Sequence, residues 1–152
     1  MNYKIVTCFN EKKLKKNTFK LLNEFKENWQ PNIEFHCYYY DLDISNYSLP
    51  QADNIKYHKL ESIAEYSAFV EENQKHNGTE DGTVQYTELL DGLSAAPEVF
   101  AISECGFENK DCWLLWVDPM CLTVKDIRTT TLDHYFPDPS YDVDFVYTPE
   151  TS

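Results

Sequence analysis

Residues 113–117 read Trp-Leu-Leu-Trp-Val, an uninterrupted apolar run that stops at Asp118 and Pro119. A run this short, aromatic at two places and bounded by polar residues, suits a strand covered on both faces. Proline has no N–H to give to a ladder, so the strand must end there. We read the run as the central strand of a layered domain, with Trp113 or Trp116 largely buried. The acid that closes it has two readings. Open α/β sheets place ligand chemistry at the carboxyl ends of their strands, yet aspartate also ends strands simply because it opens turns.

The rest of the chain alternates strand-like and helix-like segments. Tyr3 to Cys8 is β-prone, and Phe9-Asn10-Glu11-Lys12 reads as a turn after it. From Lys13 to Trp29, Leu14, Leu21, Leu22, Phe25 and Trp29 recur at helical spacing. The lysines at 12, 13, 15, 16, 20 and 26 fall mostly on the opposite, solvated face, although an anion site near the helix start is a second reading. Pro31 closes this helix. Ile33 to Tyr40 suits a second strand, ending at Asp41-Leu42-Asp43. Two acids two residues apart on an extended segment point the same way. They could hold a cation or a ribose, or merely open a polar loop.

After a loop over 44–54, residues 54–60 suit a third strand. Ser62 and Glu65 have the spacing of a capping box for a helix running to about Lys75. His76 to Thr83 is loop-like. A further helical pattern follows from Tyr86 through Leu89, Leu90, Leu93, Phe100 and Ile102, interrupted by Gly92 and Pro97. A helical turn is expected over 132–136, a loop at Pro137-Asp138-Pro139, and a last strand over Val143–Tyr147. No repeat or linker divides the chain. The pattern predicts one α/β domain with a mixed or mainly parallel sheet, helices on both faces, and Ile5, Phe35, Tyr57 and Leu115 on inner strands.

Composition narrows the function. With 42 % hydrophobic and 15 % aromatic residues in 152, the chain can bury a core. No apolar run approaches the roughly 20 residues that cross a bilayer, and the start lacks a signal-peptide pattern. Five scattered cysteines suit reduced thiols in a soluble cytoplasmic protein. A formal net charge of −13 repels phosphate backbones and argues against a nucleic-acid partner. It leaves open a nucleotide, which needs only a local set of donors. With only four glycines there is no Gly-rich phosphate loop, and neither Gly-x-Ser-x-Gly nor His-Glu-x-x-His occurs. His36, His58, His76 and His134 lie far apart on different elements and read as surface or half-buried residues. Cys8 reads as a buried thiol before a nucleophile.

Three pieces, in order, resemble the nucleotide-sugar half of a GT-A glycosyltransferase. They are Lys4-Ile5-Val6-Thr7-Cys8-Phe9-Asn10, then Val99-Phe100-Ala101-Ile102-Ser103-Glu104, then Trp113-Leu114-Leu115-Trp116-Val117-Asp118 with Leu122-Thr123-Val124. The resemblance implies a Rossmann-like three-layer α/β/α sandwich, a truncated GT-A fold in which residues 1–152 form one nucleotide-sugar-binding domain lacking most of the acceptor half. It implies a nucleoside diphosphate sugar as ligand, held by Thr7, Phe9, Asn10, Asp43 and Asp118. Phe9 would pack on the base or the loop wall, and Thr7 and Asn10 would supply hydrogen bonds. In such enzymes an Asp-x-Asp motif holds Mn²⁺ or Mg²⁺ against the diphosphate, because the leaving group develops negative charge. Here the motif is degenerate, Asp118-Pro119-Met120, so Asp118 alone would hold the metal, weakly. Residues 92–98 bring no cation. The expectation is a transferase-like binder with slight or no activity. The alternative is a non-catalytic acidic module for protein interaction or homo-oligomer formation on the same scaffold.

Overall fold

The computed structural model describes residues 1–75, 77 and 91–137. Its centre is a four-stranded, wholly parallel sheet in the order β3-β2-β1-β4, with β1 over Tyr3–Phe9, β2 over Glu34–Tyr39, β3 over Ile55–Lys59 and β4 over Trp113–Trp116. The fold is therefore α/β. Parallel neighbours need crossovers; α-helices lie in two of the three, while β2 and β3 are joined by a connection whose one regular piece is a 3₁₀ turn at Ile44–Asn46. Between β1 and β2 run α1 (Glu11–Lys13), a π-helical turn (Leu14–Thr18) and α2 (Phe19–Asn28). Between β3 and β4 come α3 (Ala64–Asn73) and α4 (Gly92–Glu108), and α5 (Thr129–Tyr135) follows β4.

Side-chain alternation along the strands divides the core into two faces. Tyr3, Ile5, Phe9, Phe35, Cys37 and Ile55 pack with Leu14, Leu21, Leu22 and Phe25 of the first helical stretch and with Leu132 of α5. Val6, Cys8 and Tyr38 pack with Tyr66 of α3 and with Ala96, Ala101 and Cys105 of α4. Helical layers thus cover both faces of the sheet. The first helix works because Leu14, Thr18, Leu21, Leu22 and Phe25, all buried, repeat at three- and four-residue steps. Its lysine-rich side is left largely to water.

Several expectations are corrected. The apolar run at 113–117 does not make the centre of the sheet among the described residues. Among the described residues β4 pairs only with β1, and all four of its residues are half-buried. The inner strands among the described residues are β1 and β2, so Tyr57 and Leu115 lie on outer strands there. Residues 9–12 form no turn, because Phe9 completes β1 and Asn10 caps the helix directly, its Oδ1 accepting from the Lys13 N–H at 3.1 Å. Ser62 and Glu65 form no capping box. Ser62 sits in a 3₁₀ turn and donates to the Lys59 carbonyl at 2.6 Å, and α3 starts two residues later.

Pro97 does not break α4, which runs through it, whereas Gly92 is the first residue of that helix. Asp91 caps it, and Pro97, in its second turn, is buried, so packing offsets the missing N–H. The expected loop over 76–83, the pattern at 86–90, the proline loop beyond 137 and the strand at 143–147 lie outside the described residues, Asn77 excepted. Among the described residues, no helix is long and apolar enough to cross a membrane.

This ranking of burial is testable by urea denaturation. Phe35→Ala, which empties a fully buried site on an inner strand, should cost about 3–5 kcal/mol. Trp113→Ala should cost clearly less, although tryptophan is larger, because Trp113 is half-exposed on an outer strand. The reverse order would restore β4 to the centre.

Candidate functional site: the carboxyl ends of the strands

In a parallel sheet ordered β3-β2-β1-β4, the chain builds outward in one direction from β1 and then in the other. The place where the order reverses lies between β1 and β4, and crevices of open α/β sheets form there, outside the carboxyl ends. Asn10 follows β1 and Asp118 follows β4 shortly, with Val117 N–H still bonded to the Val6 carbonyl at 2.9 Å. The two residues expected from the sequence therefore stand at the same end of adjacent strands.

Thr7 and Phe9 do not join them at a surface. Both are fully buried, and Phe9 is part of the apolar core beneath the first helix. Phe9 has no face to offer a base. Alternation directs Thr7 into the same layer, where its hydroxyl has no hydrogen-bond partner. The sequence did not separate a strand interior from the loop after it, because β-prone residues carried the apolar pattern straight to Phe9.

Asp118 is exposed. Its Oδ1 accepts from the Met120 N–H at 2.7 Å, and its carbonyl accepts from Cys121 N–H at 2.9 Å, so it organises a turn and keeps one carboxylate oxygen for a ligand. That turn is tied to the π-helical stretch. Thr18 Oγ1 donates to the Pro119 carbonyl at 3.3 Å, and Asn17 Nδ2 to the Met120 carbonyl at 3.2 Å. A π turn displaces the backbone of a helix locally and often marks a functional place. Here it holds the loop after β4. Nearby, Lys13 is paired with Glu98 at 3.4 Å, so the cation beside the end of β1 is already neutralised. Among the described residues no group of three His, Cys, Asp or Glu side chains could hold a metal ion. By itself the donor set falls short of a site for a hard divalent cation, since Met120 brings only a thioether.

Asp43 lies elsewhere along the same end of the sheet. A cavity of about 460 Å³ opens over the carboxyl ends of β2 and β3. Asp41, Asp43 and Glu61 line it with Lys59, and Tyr39, Leu42 and Ile44 complete the wall. The pair of acids noticed in the sequence does share one space. Asp41 has a left-handed backbone, φ 48°, an uncommon conformation for a residue with a side chain. Glu61 holds it there, Oε1 accepting from the Asp41 N–H at 2.6 Å, while Glu61 Oε2 is buried without a partner. Hydrogen bonds from the Ser45 hydroxyl and N–H hold the Asp43 carboxyl below the usual carboxylate range. Burial keeps the Tyr39 phenol protonated and able to donate. Lys59 and Glu61 carried no signal in the sequence, because they reach the cavity only through the parallel pairing of β3 with β2.

No family model, no curated protein and no solved structure matches the chain.

The histidines correct another expectation. His36 on β2 and His58 on β3 are not apart. Their rings lie parallel, 5.2 Å between centroids, with His36 Nδ1 and His58 Nε2 3.2 Å apart. Cys8, by contrast, is the buried thiol expected, pushed by burial up to about 12. Thiol labelling checks the five cysteines together. Cys121, exposed, should react first and Cys112 more slowly, with Cys8, Cys37 and Cys105 silent until the chain unfolds. A fast Cys8 would bring the nucleophile reading back.

Proposed function

We propose that the chain is a nucleotide-sugar-binding domain of the glycosyltransferase type, with transferase activity slight or absent. The observation that carries this reading is the common placement of Asn10, Asp43 and Asp118 at the carboxyl ends of parallel strands ordered β3-β2-β1-β4. The finer description, a Rossmann-like GT-A scaffold, belongs to the same reading. In it the nucleoside sits over the cavity beyond β2 and β3, where Asp43 accepts from ribose hydroxyls and Leu42 and Ile44 supply apolar contact. The diphosphate extends toward Asn10 and Asp118. Lys13 is already paired there, so little positive charge meets the phosphates and affinity is low. Mn²⁺ or Mg²⁺ joins only through the ligand's own phosphate oxygens, with Asp118 adding one oxygen.

A second reading, an acidic interaction or oligomerisation module, is favoured by Val99, Ile102 and Phe107, which leave α4 with apolar side chains 63 %, 39 % and 72 % exposed.

Calorimetry against uridine, guanosine, cytidine and thymidine diphosphates, with and without Mn²⁺, separates the two. The binding reading expects weak affinity for one of them, lowered about tenfold by Asp43→Asn, the loss of one charge-assisted hydrogen bond. Met120→Asp, which restores the second carboxylate, should make binding metal-dependent. If neither the parent nor Met120→Asp binds any of them, the nucleotide reading falls. Concentration-dependent association, weakened by Phe107→Ser, would then support the interaction module.

A further inference from the structure

Outside the candidate site, a polar cluster is built into the sheet itself at His36 and His58. His36 is 6 % exposed and faces the α4 side of the sheet. Both of its ring nitrogens are engaged, Nδ1 with His58 Nε2 at 3.2 Å and Nε2 with Glu34 Oε2 at 3.3 Å. Glu34 also pairs with Lys4 of β1. On its other side, His58 stacks on the buried ring of Tyr38, 4.7 Å between centroids. One proton arrangement satisfies the whole chain. His58 Nε2–H donates to His36 Nδ1, and His36 Nε2–H donates to Glu34, a tautomer assignment fixed by the network. One added proton leaves the contact intact whichever ring takes it, on His58 Nδ1 with the tautomers as given, or on His36 with His58 Nε2 then accepting. With both rings charged, every ring nitrogen carries a proton. Two N–H donors then face each other across 3.2 Å, on two like charges.

We propose that His36 and His58 form a proton-operated latch between β2 and β3, which holds while at most one of the two rings is charged and opens when both are. Among the described residues, the charged and titratable groups around the pair are Glu34 and Tyr38 on β2, Lys4 on β1, Lys56 on β3 and Glu108 on α4. Burial lowers the affinity of both rings for protons, and the charge of His36 lowers that of His58 further. Glu34 raises the value for His36, and Glu108 raises it for both, without overcoming burial.

Both folded-state values lie below the unfolded one, about 6.5, so below that pH the unfolded chain binds more protons. The stabilisation is complete above about pH 6.5 and is lost as pH falls. The loss is local, because β3 is an outer strand paired only with β2 among the described residues. Its release carries away Lys59 and Glu61, which line the cavity with Tyr39 and Asp43. The latch is thereby a means of opening that cavity in acid, whatever occupies it.

Amide hydrogen exchange on the full chain, corrected for intrinsic rates, tests the latch at about pH 7.5 and about pH 5. The amides of β3 should lose protection by about tenfold or more in acid while those of β1 keep theirs. In His58→Gln, whose amide can still donate to His36 but cannot take a charge, the acid loss should vanish. Equal loss in β1 and β3, no loss in either, or a full acid loss in His58→Gln would overturn the proposal. Should His58→Gln not fold, nitrogen-15 titration of the parent's imidazoles decides. Two separated steps, the second well below the ordinary histidine value, support the latch, and two independent steps near about 6.5 overturn it.

Discussion

β1 is the constraint on which the rest depends. Six of its seven residues are almost completely removed from water, and its two neighbours, β2 and β4, both run parallel to it. Buried backbone N–H and C=O groups must find partners, and here both edges of the strand are used to satisfy them. Both faces must then be covered, because both carry apolar side chains. Helices supply that cover on each side of the sheet, most of them from the long connections that parallel pairing of β1 with β2 and with β4 requires. The layered architecture follows from one strand that cannot meet water anywhere.

Open α/β architecture favours polar chemistry in the loops at the carboxyl ends of the strands. The caps there are made from side chains that also form the candidate site. Asn10 caps the first helix, Asp43 caps the 3₁₀ turn at Ile44–Asn46, and Asp118 ties its own turn. Each gives one oxygen to local structure and retains further hydrogen-bonding capacity. The ion pair of Lys13 with Glu98, and the carboxylates around Lys59, leave this end of the sheet poorly charged for a phosphate.

The paired imidazoles show the opposite arrangement, polar groups kept inside. They are tolerable only because every ring nitrogen of His36 has a partner and because the rings stack, so desolvation is matched by contact. Such a cluster is conditional on proton count, unlike the apolar packing around it. It therefore divides the sheet energetically into a β1 centre indifferent to acid and a β3 edge sensitive to it.

The sequence by itself determined what local patterning can determine. The three- and four-residue spacing of Leu14, Leu21, Leu22 and Phe25 specified the first helix, and the alternation from Ile33 to Tyr40 specified β2. The β/α succession specified the fold class, since those periods reflect which side of each element must leave water. Strand order was not legible. The most apolar run, Trp113–Val117, looked central, yet neighbours in a sheet are chosen by crossover geometry and by how helices fit both faces. Those contacts made β1 and β2 the inner strands. The same reason hid half of the site. Asp43 and Asp118 announced themselves as acids at strand ends, but Phe9 and Thr7 turned inward because the strand continued to Phe9. Lys59 and Glu61 reached Asp43, and His58 reached His36 across 22 residues, only through parallel registration of β3 with β2. Periodicity is a property of the chain, whereas registration is a property of two chain segments held together by everything packed on them.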